Sequence, residues 1–168
     1  MEKRFLLYVF MSMCLSVFNQ VSVYGKKHIV ISKYNFMLYV IDDVKNDTLL
    51  SFSIGCGKEI GNKIRTSDNR TPEGIFKIVS IEKATRWTHD FNDGYGLRKN
   101  AYGDWFFRLK VPKFKGIGIH GTCFPETIGT RCSEGCIRMN NNDLKMLRHH
   151  VYIGMTCVIE PNCIATNY

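Results

Sequence analysis

His120, Ser133, Gly135, Cys136 and Arg138 fall within one short segment, Gly118-Ile-His-Gly-Thr-Cys-Phe-Pro-Glu-Thr-Ile-Gly-Thr-Arg-Cys-Ser-Glu-Gly-Cys-Ile-Arg-Met-Asn140. A histidine ends an apolar run, a loop with two glycines follows, and Ser-Glu-Gly-Cys leads into an apolar residue and an arginine. Cysteine attacks carbonyl carbon as its thiolate, and a free thiol pKa of about 8.5 leaves little thiolate at neutral pH. The sulfur needs a base beside it, and His120 supplies one if the fold brings the two together, taking the proton during attack and returning it to a leaving amine. Gly135 lets backbone approach closely, and amides around Cys136 could hold an oxyanion. Two other chemistries use the same residues. Exported cysteines are commonly disulfide-bonded, and His120, Cys123, Cys132 and Cys136 are together enough donors for a tetrahedral zinc site, although their spacing lacks a regular knuckle. Arg138 reads otherwise as a surface cation or salt-bridge partner.

The elements that must position these residues read mostly as strands. His28 to Lys33 and Phe36 to Asp42 are two strands about a tight turn at Tyr34-Asn35, and a third runs from Thr48 to Ile54, ending in Gly55-Cys56-Gly57. Lys58 to Arg70 is polar and reads as a loop. Thr71-Pro72-Glu73-Gly74 is a turn opening a strand from Ile75 to Ile81. Trp105 to Leu109, Gly116 to His120 and Thr156 to Glu160 are further strands. Asn142 to His150 reads as a short amphipathic helix through Leu144 and Leu147, with Asn141 or Asn142 as its N-cap. His149 and His150 close that helix, where positive charge suits the dipole. Glu82 to Asp104 has no assignable element; its length and aromatic content suggest a lid or binding loop. Trp87, Trp105, Phe106 and Phe107 read as core or loop packing rather than a substrate platform.

The chain has 168 residues, enough for one domain with a buried core. Met-Glu-Lys-Arg precedes a largely apolar run from Phe5 to Phe18, the layout of a signal peptide, with cleavage expected after Gly25. The run is too short for a membrane span and is interrupted by Ser12 and Ser16. Bulky Met13 argues against Cys14 as a lipoprotein cysteine. The formal charge is +8; cleavage removes two positive charges and one negative, leaving the mature domain at +7. A basic surface suits anionic partners, yet the cations are scattered, and export argues against nucleic acid. Of seven cysteines, Cys56, Cys123, Cys132, Cys136, Cys157 and Cys163 remain after cleavage, and Cys123 with Cys132 is the first pair to test for a disulfide.

His120-Gly121 and Ser133-Glu134-Gly135-Cys136-Ile137-Arg138 resemble the signature of the L,D-transpeptidase catalytic domain, also called the YkuD-like domain. Thr71-Pro72-Glu73-Gly74-Ile75-Phe76 resembles that family's upstream turn and strand, so the likeness runs over about residues 27 to 161. It implies a mainly β fold, a β-sandwich of mixed, mostly antiparallel strands with one or two short helices. It implies that Cys136 attacks a peptidoglycan tetrapeptide stem, releases terminal D-alanine and forms a thioester that an acceptor amine resolves. His120 is then the base, steadied by a backbone carbonyl placed at Gly121; Arg138 holds site and substrate, and Ser133 is the motif hydroxyl, with Gly121, Ser133 and Gly135 as supporting or oxyanion residues. Many members carry a second histidine where this chain has Glu134. The resemblance calls for no cofactor and no metal. Partners would be stem peptides, with a protein acceptor also open, the membrane involved only during export, and the location the periplasm or cell envelope. Hydrolysis of the same acyl-enzyme is the alternative within the enzyme class; outside it stands a disulfide- or zinc-stabilised wall-binding module.

Overall fold

A computed structural model describes residues 27–162. The expected signal peptide, Cys14 and Cys163 lie outside these residues. Nine strands form one mixed sheet in the order β10-β8-β7-β4-β11-β1-β2-β3-β9, from β1 (Lys27–Ser32), β2 (Met37–Asp42), β3 (Asp47–Gly57), β4 (Gly74–Lys83), β7 (Trp105–Leu109), β8 (Gly118–His120), β9 (Arg131–Ser133), β10 (Ile137–Met139) and β11 (Thr156–Glu160). A short hairpin, β5 (Thr88–Asp90) with β6 (Leu97–Lys99), stands apart. In the main sheet β1 with β11, β8 with β10 and β3 with β9 run parallel and the other pairings antiparallel. Strand β10 also pairs antiparallel with β3, so the sheet curls until one end meets its other half and encloses a single core.

The core follows from side-chain alternation. In β2, Leu38 and Val40 point inward while Met37, Tyr39 and Ile41 remain half-buried. Ile29, Ile31, Ile54, Ile78, Phe107, Ile119, Ile137 and Met139 fill the interior. The expected two-strand start, the strand at Trp105–Leu109 and the closing strand at Thr156–Glu160 are all present. The helix, α1, spans Asn141–Arg148 and buries Leu144 and Leu147 against the core. Its N-cap is Asn140, whose side chain accepts from the Asn142 amide, rather than the expected Asn141 or Asn142. Asn141 is engaged elsewhere: its amide group accepts from the Thr122 N–H at 2.9 Å and donates to the Thr122 carbonyl at 3.0 Å. Pro125–Thr127 adds one 3-10 turn. Among the described residues no helix is long and apolar enough to cross a membrane.

The expected Cys123–Cys132 disulfide is not made; Cys56, Cys123, Cys132, Cys136 and Cys157 are all free thiols. The Cys132 sulfur packs against Gly55 of β3, where an added Cβ would lie 2.5 Å away, whereas Cys123 lies in the field of Arg138 and Arg98. The two sulfurs serve different surroundings.

The polar loop between β3 and β4 is held by buried ion pairs. Lys33, 1% exposed, donates to Glu73 at 2.6 Å and to the carbonyls of Gly61 and Thr71. Lys63 meets Asp68 at 2.7 Å, with both side chains buried. Burial alone would raise the Asp68 carboxyl, but the Lys63 ammonium and the amides of Ile64, Arg65 and Arg70 outweigh it and hold the group well below the usual carboxylate range. A carboxyl depressed in the fold contributes stability above its unfolded pKa, and loses it as pH falls through the folded value. Asp68→Asn strands the Lys63 ammonium without a counter-charge and should cost about 3 kcal/mol in urea unfolding at pH 7. The deficit should shrink in acid, where the wild-type carboxylate is itself protonated.

Candidate active site

Parallel pairing of β8 with β10 sets His120 opposite Arg138 and Ile119 opposite Ile137. Cys136 therefore sits on the bend immediately before β10, next to the strand that His120 ends. Its loop is bent by Gly135, at φ 132°, where a Cβ would come within 2.8 Å of the Arg70 carbonyl; only glycine fits without strain. Ser133, 1% exposed, closes that loop: its hydroxyl donates to the Cys136 carbonyl at 2.6 Å and accepts from the Gly135 amide at 3.1 Å.

His120 is almost wholly enclosed. Its ring stacks on Phe106 at 5.4 Å and takes the edge of Tyr102 at 4.8 Å. Nδ1 lies 2.6 Å from the Gly121 carbonyl, the acceptor that the family resemblance implies. That contact puts the proton on Nδ1 and leaves Nε2 as the basic nitrogen. Burial, with Arg138 nearby, depresses the imidazole to about 3 despite the carbonyl's opposing effect. At neutral pH it is an uncharged base.

The Cys136 thiol stays partly open to solvent and donates to the Gly116 carbonyl at 3.2 Å. Surrounding protein raises its pKa, opposed by the Gly118 amide and Arg138. The resting pair is thus a neutral thiol and a neutral imidazole rather than a thiolate and imidazolium, and proton removal must accompany attack. Gly121 is pinned by its amide, which donates to the Tyr102 carbonyl at 2.8 Å, and by Asn141, which leaves no room for a Cβ. The Gly121 and Gly135 amides and the Ser133 hydroxyl are thus all engaged within the protein.

Cys136, His120, Ser133 and Arg138 line one open cavity of about 570 Å³. Arg138 is buried, its guanidinium 5.1 Å from the Phe91 ring and its Nε without a hydrogen-bond partner in the protein. Lys58, Lys63 and Lys115 add positive charge to the wall, and Lys63 is neutralised by Asp68. Among the described residues no group of three or more His, Cys, Asp or Glu side chains is placed to hold a metal, so His120, Cys123, Cys132 and Cys136 do not assemble the zinc cluster their order allowed. The segment left unassigned in the sequence forms the opposite wall. His89, Phe91, Asn92 and Tyr102 face the cavity, and Trp87 packs on Tyr102 and Phe106, as expected of packing. The clue to this wall was the run Trp87-Thr-His89-Asp-Phe91, which puts a ring on every second residue across the short strand β5.

A family profile described as the L,D-transpeptidase catalytic domain matches residues 26–159. The chain belongs to this family. Among individual relatives of this transpeptidase domain is YqjB of Bacillus subtilis, to which L,D-transpeptidase activity is provisionally ascribed; it is 30% identical over 137 residues, covering 80% of this chain and 72% of that protein. The catalytic domain of the Enterococcus faecium L,D-transpeptidase shares the fold with a TM-score of 0.58 at 22% identity, covering 80% of this chain and 97% of that one. An L,D-transpeptidase from Mycobacterium smegmatis superimposes with a TM-score of 0.60 at 17% identity, over 80% of this chain but only 58% of its own. The transpeptidase domain thus accounts for nearly all the described residues here and for part of the longer relatives.

Proposed function

We propose that this domain is a cysteine acyltransferase of the cell envelope that acts on peptidoglycan tetrapeptide stems. The observation that carries it is the shared cavity lined by Cys136, on the bend leading into β10, and His120, at the end of the neighbouring parallel strand β8, with His120 Nδ1 tied to Gly121. In the first half-reaction the thiol loses its proton to His120 Nε2 as sulfur bonds to the stem carbonyl. The tetrahedral intermediate collapses, the C–N bond to terminal D-alanine breaks, and the imidazolium returns the proton to the departing amine. In the second, an acceptor amine displaces sulfur and restores the thiol. Arg138, which lines the cavity, offers its guanidinium as a charge-assisted donor to a substrate oxygen. The uncompensated Lys58 and Lys115 suit a ligand rich in carboxylates.

Mass spectrometry of the purified chain after exposure to a carbapenem, and separately to tetrapeptide muropeptides, tests the proposal. An adduct at Cys136 with release of D-alanine is expected. An unreacted Cys136 would leave a wall-binding module without turnover. Ser133→Ala loses both braces of the Cys136 loop, and we expect acylation about 10-fold slower, the barrier being raised by about 1.4 kcal/mol, with about 1 kcal/mol lost from the fold.

A further inference from the structure

Tyr102, His89 and Glu134 form a chain of polar contacts along the cavity, a hydrogen bond between Tyr102 and His89 and an ion-pair contact between His89 and Glu134, and nothing in the first half-reaction uses it. The Tyr102 hydroxyl lies 3.0 Å from His89 Nδ1, and His89 Nε2 lies 3.5 Å from a Glu134 carboxylate oxygen. All three residues line the cavity with Cys136 and His120. Glu134 immediately precedes Gly135-Cys136, while His89 belongs to β5 and Tyr102 follows β6, so the chain joins the hairpin to the nucleophile loop. Tyr102 is the inner end, with its ring against His120. His89 and Glu134 form the outer end, at 28% and 46% side-chain exposure, where a proton can leave to solvent.

The carboxylate of Glu134 beside Nε2 favours the His89 tautomer protonated there; with that tautomer Nδ1 is an acceptor, and the Tyr102 O–H donates to it. The lone pairs of the Tyr102 oxygen are left for a donor in the cavity. An acceptor amine arrives as an ammonium with a pKa of about 10 and must lose a proton before it can attack. His120 is poorly suited to take it, being buried beside Arg138, and it is needed to shuttle a proton to and from sulfur.

We propose that Tyr102 receives the acceptor amine and that His89 and Glu134 act through it, as positioning residues, to draw off the surplus proton. The inference rests on the acyl-enzyme reading above and extends it to the second half-reaction. The ammonium gives one proton to the Tyr102 oxygen as the Tyr102 hydroxyl proton passes to His89 Nδ1, leaving an imidazolium facing Glu134. The neutral amine bonds to the thioester carbon, and the C–S bond breaks with its electron pair on sulfur. The second amine proton travels through His120 to that sulfur, giving amide and thiol, and His89 discharges its proton to solvent. The groups that bear on His89 are Glu134 from the nucleophile loop, Tyr102, the Phe91 ring within its own hairpin and His120 across the cavity.

The test separates the two half-reactions in the full chain with a tetrapeptide muropeptide donor and a stem-peptide amine acceptor. Acylation is read as D-alanine release and transfer as cross-linked product, for wild type, Tyr102→Phe, His89→Gln and Glu134→Gln from pH 6 to 10. At pH 7 we expect transfer to fall at least 10-fold in Tyr102→Phe and His89→Gln, acylation less than 3-fold, and Glu134→Gln to lie between these and wild type. The transfer deficit should close as pH approaches the amine pKa, because the acceptor then deprotonates unaided. A deficit constant with pH, a fall in acylation as large as that in transfer, or no deficit would overturn the inference. A wild-type chain that never acylates would remove the acyl-enzyme reading along with it, an outcome distinct from a wild type that acylates and transfers alongside unaffected variants.

Discussion

Cys136→Ala should leave no covalent adduct with either carbapenem or stem peptide, and D-alanine release should drop by at least about 10³-fold, while the domain still folds. The size of the loss follows from removing the nucleophile of a covalent mechanism, after which only binding and positioning remain. The fold should tolerate the change because Cys136 is partly open to the cavity, and its sulfur makes one hydrogen bond, to the Gly116 carbonyl. Thermal unfolding should differ by no more than about 1 kcal/mol. Intact-mass spectrometry beside a melting curve reads both. D-alanine release that survives the substitution would move the nucleophile elsewhere. A collapsed melting curve would make Cys136 a structural residue.

His120→Ala should slow acylation by about 10²–10⁴-fold, the range for loss of a positioned general base. The pH profile carries the sharper information. With its pKa depressed to about 3 by burial, His120 is already the free base throughout pH 5–8, so the wild-type acylation rate should show no acid limb near 6.5. A limb at that ordinary histidine value would mean an ion pair with the thiol, contrary to the neutral pair described above. The same depression is a statement about stability. Between its ordinary value of 6.5 and about 3 the unfolded chain binds a proton that the folded chain refuses. Stability is therefore full above 6.5 and falls with acid at a limiting slope of about 1.4 kcal/mol per pH unit. His120→Ala should flatten that slope in urea unfolding at pH 4 to 7, and an unchanged slope would place the acid sensitivity in another group.

The strands that were legible in the sequence are those whose alternation is long enough to have a face. Strands β1, β2 and β11 each run five or six residues with buried apolar side chains at alternate positions, and β7 is marked by its apolar run Trp105-Phe-Phe107. Strands β9 and β10 are three residues each, and exist because the sheet curls to give them partners in β3 and β8, a long-range cause that no local pattern carries. The hairpin β5–β6 is as short and mostly solvent-facing, so composition marked it as a loop while its register stayed hidden. At the site, Cys136 and His120 stood out as candidates because they are close in sequence and their chemistry is specific, while the Gly121 carbonyl was supplied by the family resemblance. Tyr102 and His89 enter from residues far from the motif, and only packing against Phe106 and His120 brings them in. The misplaced helix cap has a similar origin: Asn140, Asn141 and Asn142 are all competent caps, and the choice was made by Thr122, a residue on another loop.

Arg138 links the cavity to the durability of the fold. Its Nε is buried without a partner in the protein, and a buried donor without an acceptor costs about 1–3 kcal/mol. A ligand that draws the Arg138 guanidinium onto its own oxygen would relieve that cost without touching Cys136. If the domain binds wall fragments as proposed, its resistance to protease should therefore rise in their presence.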